Sequence, residues 1–213
     1  MGRRALRKLD PSLDLTKHLK TFDQLPRPWD TSSLFGRQAP LQVEVGSGKG
    51  LFLQNVSATM PGVNFLGIEI ASKYARFAAA MLAKQNLHNA IVVQADALRI
   101  FKELLPDASI QSVHVYFPDP WWKQRHKKRR VMRESFLRDI ERTLSSGGTL
   151  HFWTDVEEYF HTTLDLIADC TSLQGPLHSP ETPAEHDMDY RTHFERRMRQ
   201  TNEPVYRANY LKQ

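Results

Sequence analysis

The chain has 213 residues, 40% hydrophobic and 25% charged, which allows one sizeable core and excludes a chain disordered throughout. Twenty-nine Lys and Arg against 24 Asp and Glu give a formal charge of +5 and a pI of about 9.4, a balance that suits a nucleic acid or another anionic surface. Cys170 is the only cysteine, so an internal disulfide and a cysteine-based metal cluster are excluded.

A single cysteine is the usage of a reducing compartment, and the cytoplasm is expected. No apolar run approaches the roughly 18 residues that a membrane span needs. The start, Met-Gly-Arg-Arg-Ala-Leu-Arg-Lys, lacks the apolar stretch of a secretory signal, and Leu6 stands where an acylation motif wants Ser or Thr. Neither a membrane nor a metal is expected as a partner, and monomer or homodimer is left open.

Residues 1–38 carry Arg3, Arg4, Arg7, Lys8, Lys17 and Lys20 among prolines 11, 26 and 28, without sustained periodicity. They read as a basic arm ahead of a domain over 39–213, either frayed or ordered on an RNA partner. Leu41-Gln-Val-Glu-Val then alternates like a strand and runs into Gly46-Ser-Gly-Lys-Gly50, ahead of the apolar helix start Leu51-Phe-Leu. Strand, glycine loop and helix in that order bring backbone N–H groups close to a ligand. Lys49 lies too near Gly46 for a phosphate-binding G-x-x-x-x-G-K-[ST] loop.

Residues 63–70 predict a second strand ending at Glu69, about twenty residues past the glycine loop, where doubly wound folds place an acid for a ribose diol. A helix over 72–86 carries Tyr74, Phe77, Ala78, Met81 and Leu82 on one apolar face. A third strand, 90–94, leads to Asp96, which either caps a helix over 97–105 or accepts from an adenine amino group. Ile110 to Phe117 makes a fourth strand that delivers Asp119, held between Pro118 and Pro120 and followed by the basic run Lys123 to Arg130. A helix over 131–144 with a glycine C-cap at Gly147-Gly148, a strand over 149–154 ending before Asp155, and a helix over 159–167 follow. Residues 172–189 read as a polar connection, and 188–195 with 203–210 as a closing hairpin.

Strands alternating with helices imply an α/β fold: a mostly parallel central sheet with helices on both faces, a C-terminal antiparallel hairpin, and ligands at the strands' carboxyl ends. A nicotinamide cofactor and S-adenosylmethionine both need a glycine turn and a ribose acid. The second has an ammonium and a sulfonium and no phosphate, so carboxylates at Glu44 and Asp119 would not repel it.

Val43-Glu-Val-Gly-Ser-Gly-Lys-Gly50, Gly67-Ile-Glu69, Phe117-Pro-Asp-Pro-Trp121, Lys123, Arg125-His-Lys-Lys-Arg-Arg130, Thr154-Asp155 and Thr192-His-Phe-Glu195 together resemble the tRNA (guanine-N7)-methyltransferases. The resemblance implies a Rossmann-like class I methyltransferase fold, S-adenosylmethionine as cofactor, and tRNA as partner, with a variable-loop guanine methylated at N7. It implies that Glu44, Gly46, Gly48, Gly50, Glu69, Asp96 and Asp119 serve the cofactor site, with Asp119 also the catalytic residue. Lys123, Asp155, Thr192, His193, Phe194 and Glu195 would serve the substrate, with Trp121 or Phe194 as a stacking face for the base. Arg125, Lys127, Lys128, Arg129 and Arg130 would meet the tRNA backbone. Trp122 and His193 fill positions at which relatives vary. The competing readings are a class I methyltransferase with another RNA or protein substrate, and a non-catalytic RNA-binding module.

Overall fold

Strands buried on both faces are rich in apolar residues, and three stretches of this chain are buried along nearly their whole length, with a few polar side chains among them. The computed structural model describes residue 6, residues 8–177, residue 179 and residues 190–213. All five residues of β2 (Leu41–Val45) and all six of β3 (Asn64–Glu69) are buried, as are six of the seven in β5 (Ile110–Tyr116). With β1 (Leu19–Thr21), β4 (Ala90–Gln94), β6 (Leu144–Thr154), β7 (Gln174–Leu177) and β8 (Tyr206–Leu211) they form one sheet in the order β1-β4-β3-β2-β5-β6-β8-β7. The β1 to β6 pairs are parallel, and β8 runs antiparallel to both β6 and β7.

A short helix α1 (Thr31–Phe35) precedes β2, and longer helices cover both faces of the sheet. α2 (Leu51–Thr59) and α3 (Ser72–Lys84) pack Phe52, Leu53, Ala75, Ala78 and Leu82 against Phe65, Ala90 and Val92. On the opposite face, α4 (Ala97–Glu103), α5 (Glu134–Thr143) and α6 (Glu157–Cys170) bring Ile100, Phe101, Phe136, Ile140, Tyr159 and Ile167 onto Val43, Val45, Ile68 and Val113. Gly67 is required where α2 comes closest: a Cβ there would collide with Leu53 and lie 2.9 Å from the Ser47 hydroxyl. From β2 the chain crosses to β3 on one side, while β5 lies on the other. The carboxyl ends of β2 and β5 therefore flank the point at which the winding reverses, the usual place for a ligand crevice.

Four expectations change. Only part of residues 1–38 stands apart from the sheet, because Leu19–Thr21 is its edge strand and Phe22 and Leu25 are in the core; three residues are too few to show a period. Arg3, Arg4 and Arg7 lie outside the described residues. Gly147 and Gly148 do not cap a helix: α5 ends at Thr143, and the glycines sit inside β6, where the register against β5 shifts and Gly147 has φ +74°. The expected strand over 188–195 is, from His193 on, the helix α7 (His193–Gln200), and residues 188 and 189 lie outside the described set. The antiparallel partner of β8 beyond β6 is instead Gln174–Leu177, inside the expected polar connection. Among the described residues no helix is long and apolar enough to cross a membrane.

Candidate active site

The glycine loop is drawn tightly over the end of β3. Gly46 and Ser47 both donate their N–H to the Ile68 carbonyl, at 2.8 and 3.1 Å, and Gly50 N–H closes the turn on the Ser47 carbonyl. Gly50 has φ +74°, and a Cβ on it would meet the Ala78 Cβ at 2.7 Å, so glycine is needed both for the turn and for the contact of α2 with α3. Glu69 fastens this loop from the neighbouring strand: its carboxylate accepts from Gly48 N–H at 2.9 Å and from Ala71 N–H at 2.7 Å. An ionised carboxylate has about four acceptor positions, so both oxygens keep capacity for a ligand hydroxyl.

Glu44 lies beneath, 3% exposed, with its Oε2 unpartnered. Burial, with a smaller push from Glu69, raises its carboxyl to about 8. A buried acid without a partner for its charge is what a cationic ligand group would complete. The carboxylates at this edge suit a ligand that carries positive charge and no phosphate, so the residues present fit S-adenosylmethionine. Asp96 takes the capping position, accepting from Leu98 N–H at 3.0 Å as the N-cap of α4.

The turn after β5 carries backbone strain. Phe117 and Trp121 have φ of +50° and +47°, a region that side-chain-bearing residues seldom occupy, on either side of the Pro118-Asp119-Pro120 turn, where Asp119 is exposed between two partly buried prolines. Strain of this kind persists only where the surroundings impose it and clusters at functional sites. Phe117 N–H bonds to the Trp153 carbonyl at 2.8 Å, and its ring packs on Phe194 with centroids 4.9 Å apart. Two motifs far apart in sequence thus meet. Trp121 contacts the His126 ring edge-on and lies under Arg129, whereas Trp122 is 70% exposed. Asp155, past the end of β6, is half-buried, and burial raises its carboxyl while Arg197 opposes the shift.

Two expected roles are corrected. Thr192 and Glu195 do not simply close over a base. Thr192 is the N-cap of α7, its hydroxyl accepting from Glu195 N–H at 3.0 Å, and the Glu195 carboxylate is buried, accepting from Arg191 N–H at 2.7 Å and pairing with Arg207 and Arg199. Thr-x-x-Glu is also the sequence of a helix-capping box, and that is the signal missed in the sequence. His193 and Phe194, in the first turn, remain partly exposed. Arg130 leaves the set of expected phosphate contacts, because its side chain is 9% exposed and pairs with Glu158 at 2.6 Å. Lys127 also pairs with Glu158, at 2.7 Å, leaving Lys123, Arg125, Lys128 and Arg129 exposed.

Sequence reasoning passed over Tyr116, Arg191 and Asn55. The Tyr116 hydroxyl shares a hydrogen bond with His114 Nδ1 at 2.9 Å and another with Arg191, while Asn55 Nδ2 donates to the Tyr190 carbonyl at 3.1 Å. The first ties the residues just before α7 to the end of β5, and the second ties them to α2. Only position beside a motif, Tyr116 before Phe117 and Arg191 before Thr192, marked them in advance.

A family model described as "Putative methyltransferase" matches residues 38–208. A tRNA (guanine-N(7)-)-methyltransferase of Rhodopirellula baltica is 49% identical over 218 aligned residues, covering 100% of this chain and 80% of that protein. The chain belongs to the tRNA (guanine-N(7)-)-methyltransferase family. Family members from Yersinia enterocolitica and Cupriavidus necator are 37% and 35% identical over 67% and 81% of this chain, and the matches span 60% and 66% of those proteins. The fold is likewise that of known methyltransferases. The aminoglycoside resistance methyltransferase NpmB1 has a TM-score of 0.61 at 20% identity, covering 89% of this chain and 95% of that one. A 30S ribosomal A1408 methyltransferase from an uncultured bacterium has 0.54 at 17% identity, covering 85% and 91%.

Proposed function

We propose that this sheet edge binds S-adenosylmethionine and a guanine of tRNA and transfers the methyl group to N7, forming 7-methylguanosine in the cytoplasm. S-adenosylmethionine, when bound, supplies a sulfonium methyl that the N7 lone pair attacks directly, so no proton has to be removed. The residues' task is then placement and charge rather than acid–base work. Gly46, Gly48 and Gly50 let the backbone approach the cofactor, Glu69 takes the ribose hydroxyls, and Glu44 answers the cofactor's positive charge. Asp96, while capping α4, presents an acceptor to the adenine.

Asp119 holds the guanine by accepting from its N1–H or amino edge, and Asp155 holds the other side. The transferred charge ends on the base, and two carboxylates beside it lower the cost of that shift. The base must leave its stack to enter, and Phe194 offers it a face at the start of α7. Lys123 faces the substrate, and Arg125, Lys128 and Arg129 take the phosphates. The six basic residues before residue 21 add to that contact.

The observation that carries this reading is the meeting of the Asp119 turn with the Thr192–Glu195 helix start through Phe117 and Phe194. Replacing the acceptor guanine by 7-deazaguanine removes only the N7 lone pair. Such a tRNA should bind as well as the parent and accept no methyl; methylation of it would refute N7 as the acceptor.

A further inference from the structure

The basic run after Trp121 is not uniform, and its last member faces inward. Arg130 Nε donates to the Pro120 carbonyl at 2.8 Å, and Nη1 and Nη2 donate to the Glu158 carboxylate at 3.3 and 2.6 Å. The guanidinium lies 4.3 Å from the centre of the Tyr159 ring. Lys127 Nζ donates to the same carboxylate at 2.7 Å. Tyr159 in turn accepts from Met132 N–H at 3.2 Å, so the first turn of α6 holds the end of the basic run and the chain just past it.

The carbonyl that Arg130 holds belongs to the residue after Asp119, within the span bounded by the two positive-φ residues. Burial first, with Asp119 among the charges that add to it, pushes the Tyr159 hydroxyl up to about 12. A planar fork that meets a carbonyl and a carboxylate together fixes direction as well as distance, which an ammonium does not. At 9% side-chain exposure it has no face left for a phosphate.

We propose that Arg130, braced by Glu158 and Tyr159, is a positioning residue that sets the Pro118-Asp119-Pro120 turn for methyl transfer and makes no contact with the tRNA backbone. The inference rests on Asp119 orienting the guanine. Arg130→Lys keeps the charge and loses the fork, and Glu158→Gln keeps the shape and loses the carboxylate. Arg130 and Lys127 hold the Glu158 carboxyl down to about 2, so it is ionised throughout any assay range.

The test compares the parent, both variants and Lys128→Ala by steady-state methylation of tRNA, by salt dependence of tRNA binding, and by amide hydrogen exchange across residues 117–130. Both clamp variants should lower kcat about tenfold or more, with KM for tRNA within about threefold, a deficit that does not vary between pH 6 and 9, and an unchanged salt slope. Exchange at Trp121 and Trp122 should rise while Tm stays within a few degrees. Lys128→Ala should instead raise KM and flatten the slope. A flattened slope with kcat intact in Arg130→Gln, measured alongside because it removes the charge, would make Arg130 a phosphate contact, and unaltered kcat and exchange in both clamp variants would dissolve the clamp. If the parent itself makes no 7-methylguanosine, the functional reading fails, and exchange alone still decides whether the clamp holds the turn.

Discussion

Glu44 and Asp119 show how one functional group, the carboxyl, takes different work from its surroundings. Glu44 is buried and ionises in the folded protein only at about 8, against 4.5 for an ordinary glutamate. Between those values the folded chain holds a proton that the unfolded chain has released, so stability falls as pH rises through that window and levels off above it. Glu44→Gln lacks this ionisation. Its Tm, in the absence of ligand, should therefore decline less than that of the parent between pH 4.5 and 8, and parallel curves would show that the acid is not held neutral. Asp119 is exposed on a stiff turn, where its side chain can be aimed. Asp119→Ala should cut kcat by about 100-fold or more while leaving tRNA affinity within a few-fold, measured by single-turnover transfer and filter binding. Activity within a few-fold of the parent would remove its orienting role.

At the scale of elements, the glycine loop and the basic turn carry separate expectations. Gly50→Ala brings a Cβ to 2.7 Å from the Ala78 Cβ at φ +74°, so denaturant unfolding should show a loss of about 1–3 kcal/mol. A neutral result would mean that α2 can retreat from α3. The turn Gln124–Arg129 presents Arg125, Lys128 and Arg129 to solvent. Their joint replacement by Ala should reduce the slope of log binding constant against log salt by about 2 to 3, and an unchanged slope would take the turn out of the interface. These elements differ in how far the sequence declared them. β2, β3 and β5 were legible because each is rich in β-branched and other apolar residues, alternating with polar ones in β2, and stops near a glycine, an acid or a proline. α7 was not, because its aromatic and polar residues alternate like a strand while Thr192 and Glu195 cap a helix. Arg130 was hidden in a charge run, since its partner Glu158 is 28 residues away and no local pattern marks which arginine turns inward.

In the whole molecule, parallel winding sends the ends of β2, β3, β4, β5 and β6 to one edge, so acids scattered in sequence from Glu44 to Asp155 gather toward that edge. That edge was legible from the alternation of strands with helices along the chain. The extra edge strand Leu19–Thr21 was not, because it is held by pairing with β4 and by Phe22 and Leu25 in the core, neither of which leaves a periodic trace in so short a segment. The net charge of +5 then favours approach of a polyanion to an edge whose interior is acidic, which separates the attraction of the tRNA from the placement of its base. The most direct test of this account is to incubate the protein with labelled S-adenosylmethionine and unmodified tRNA, digest the product and identify the labelled nucleoside. The label should appear in 7-methylguanosine, and label on an exocyclic amine, or no label at saturating donor, would contradict the account.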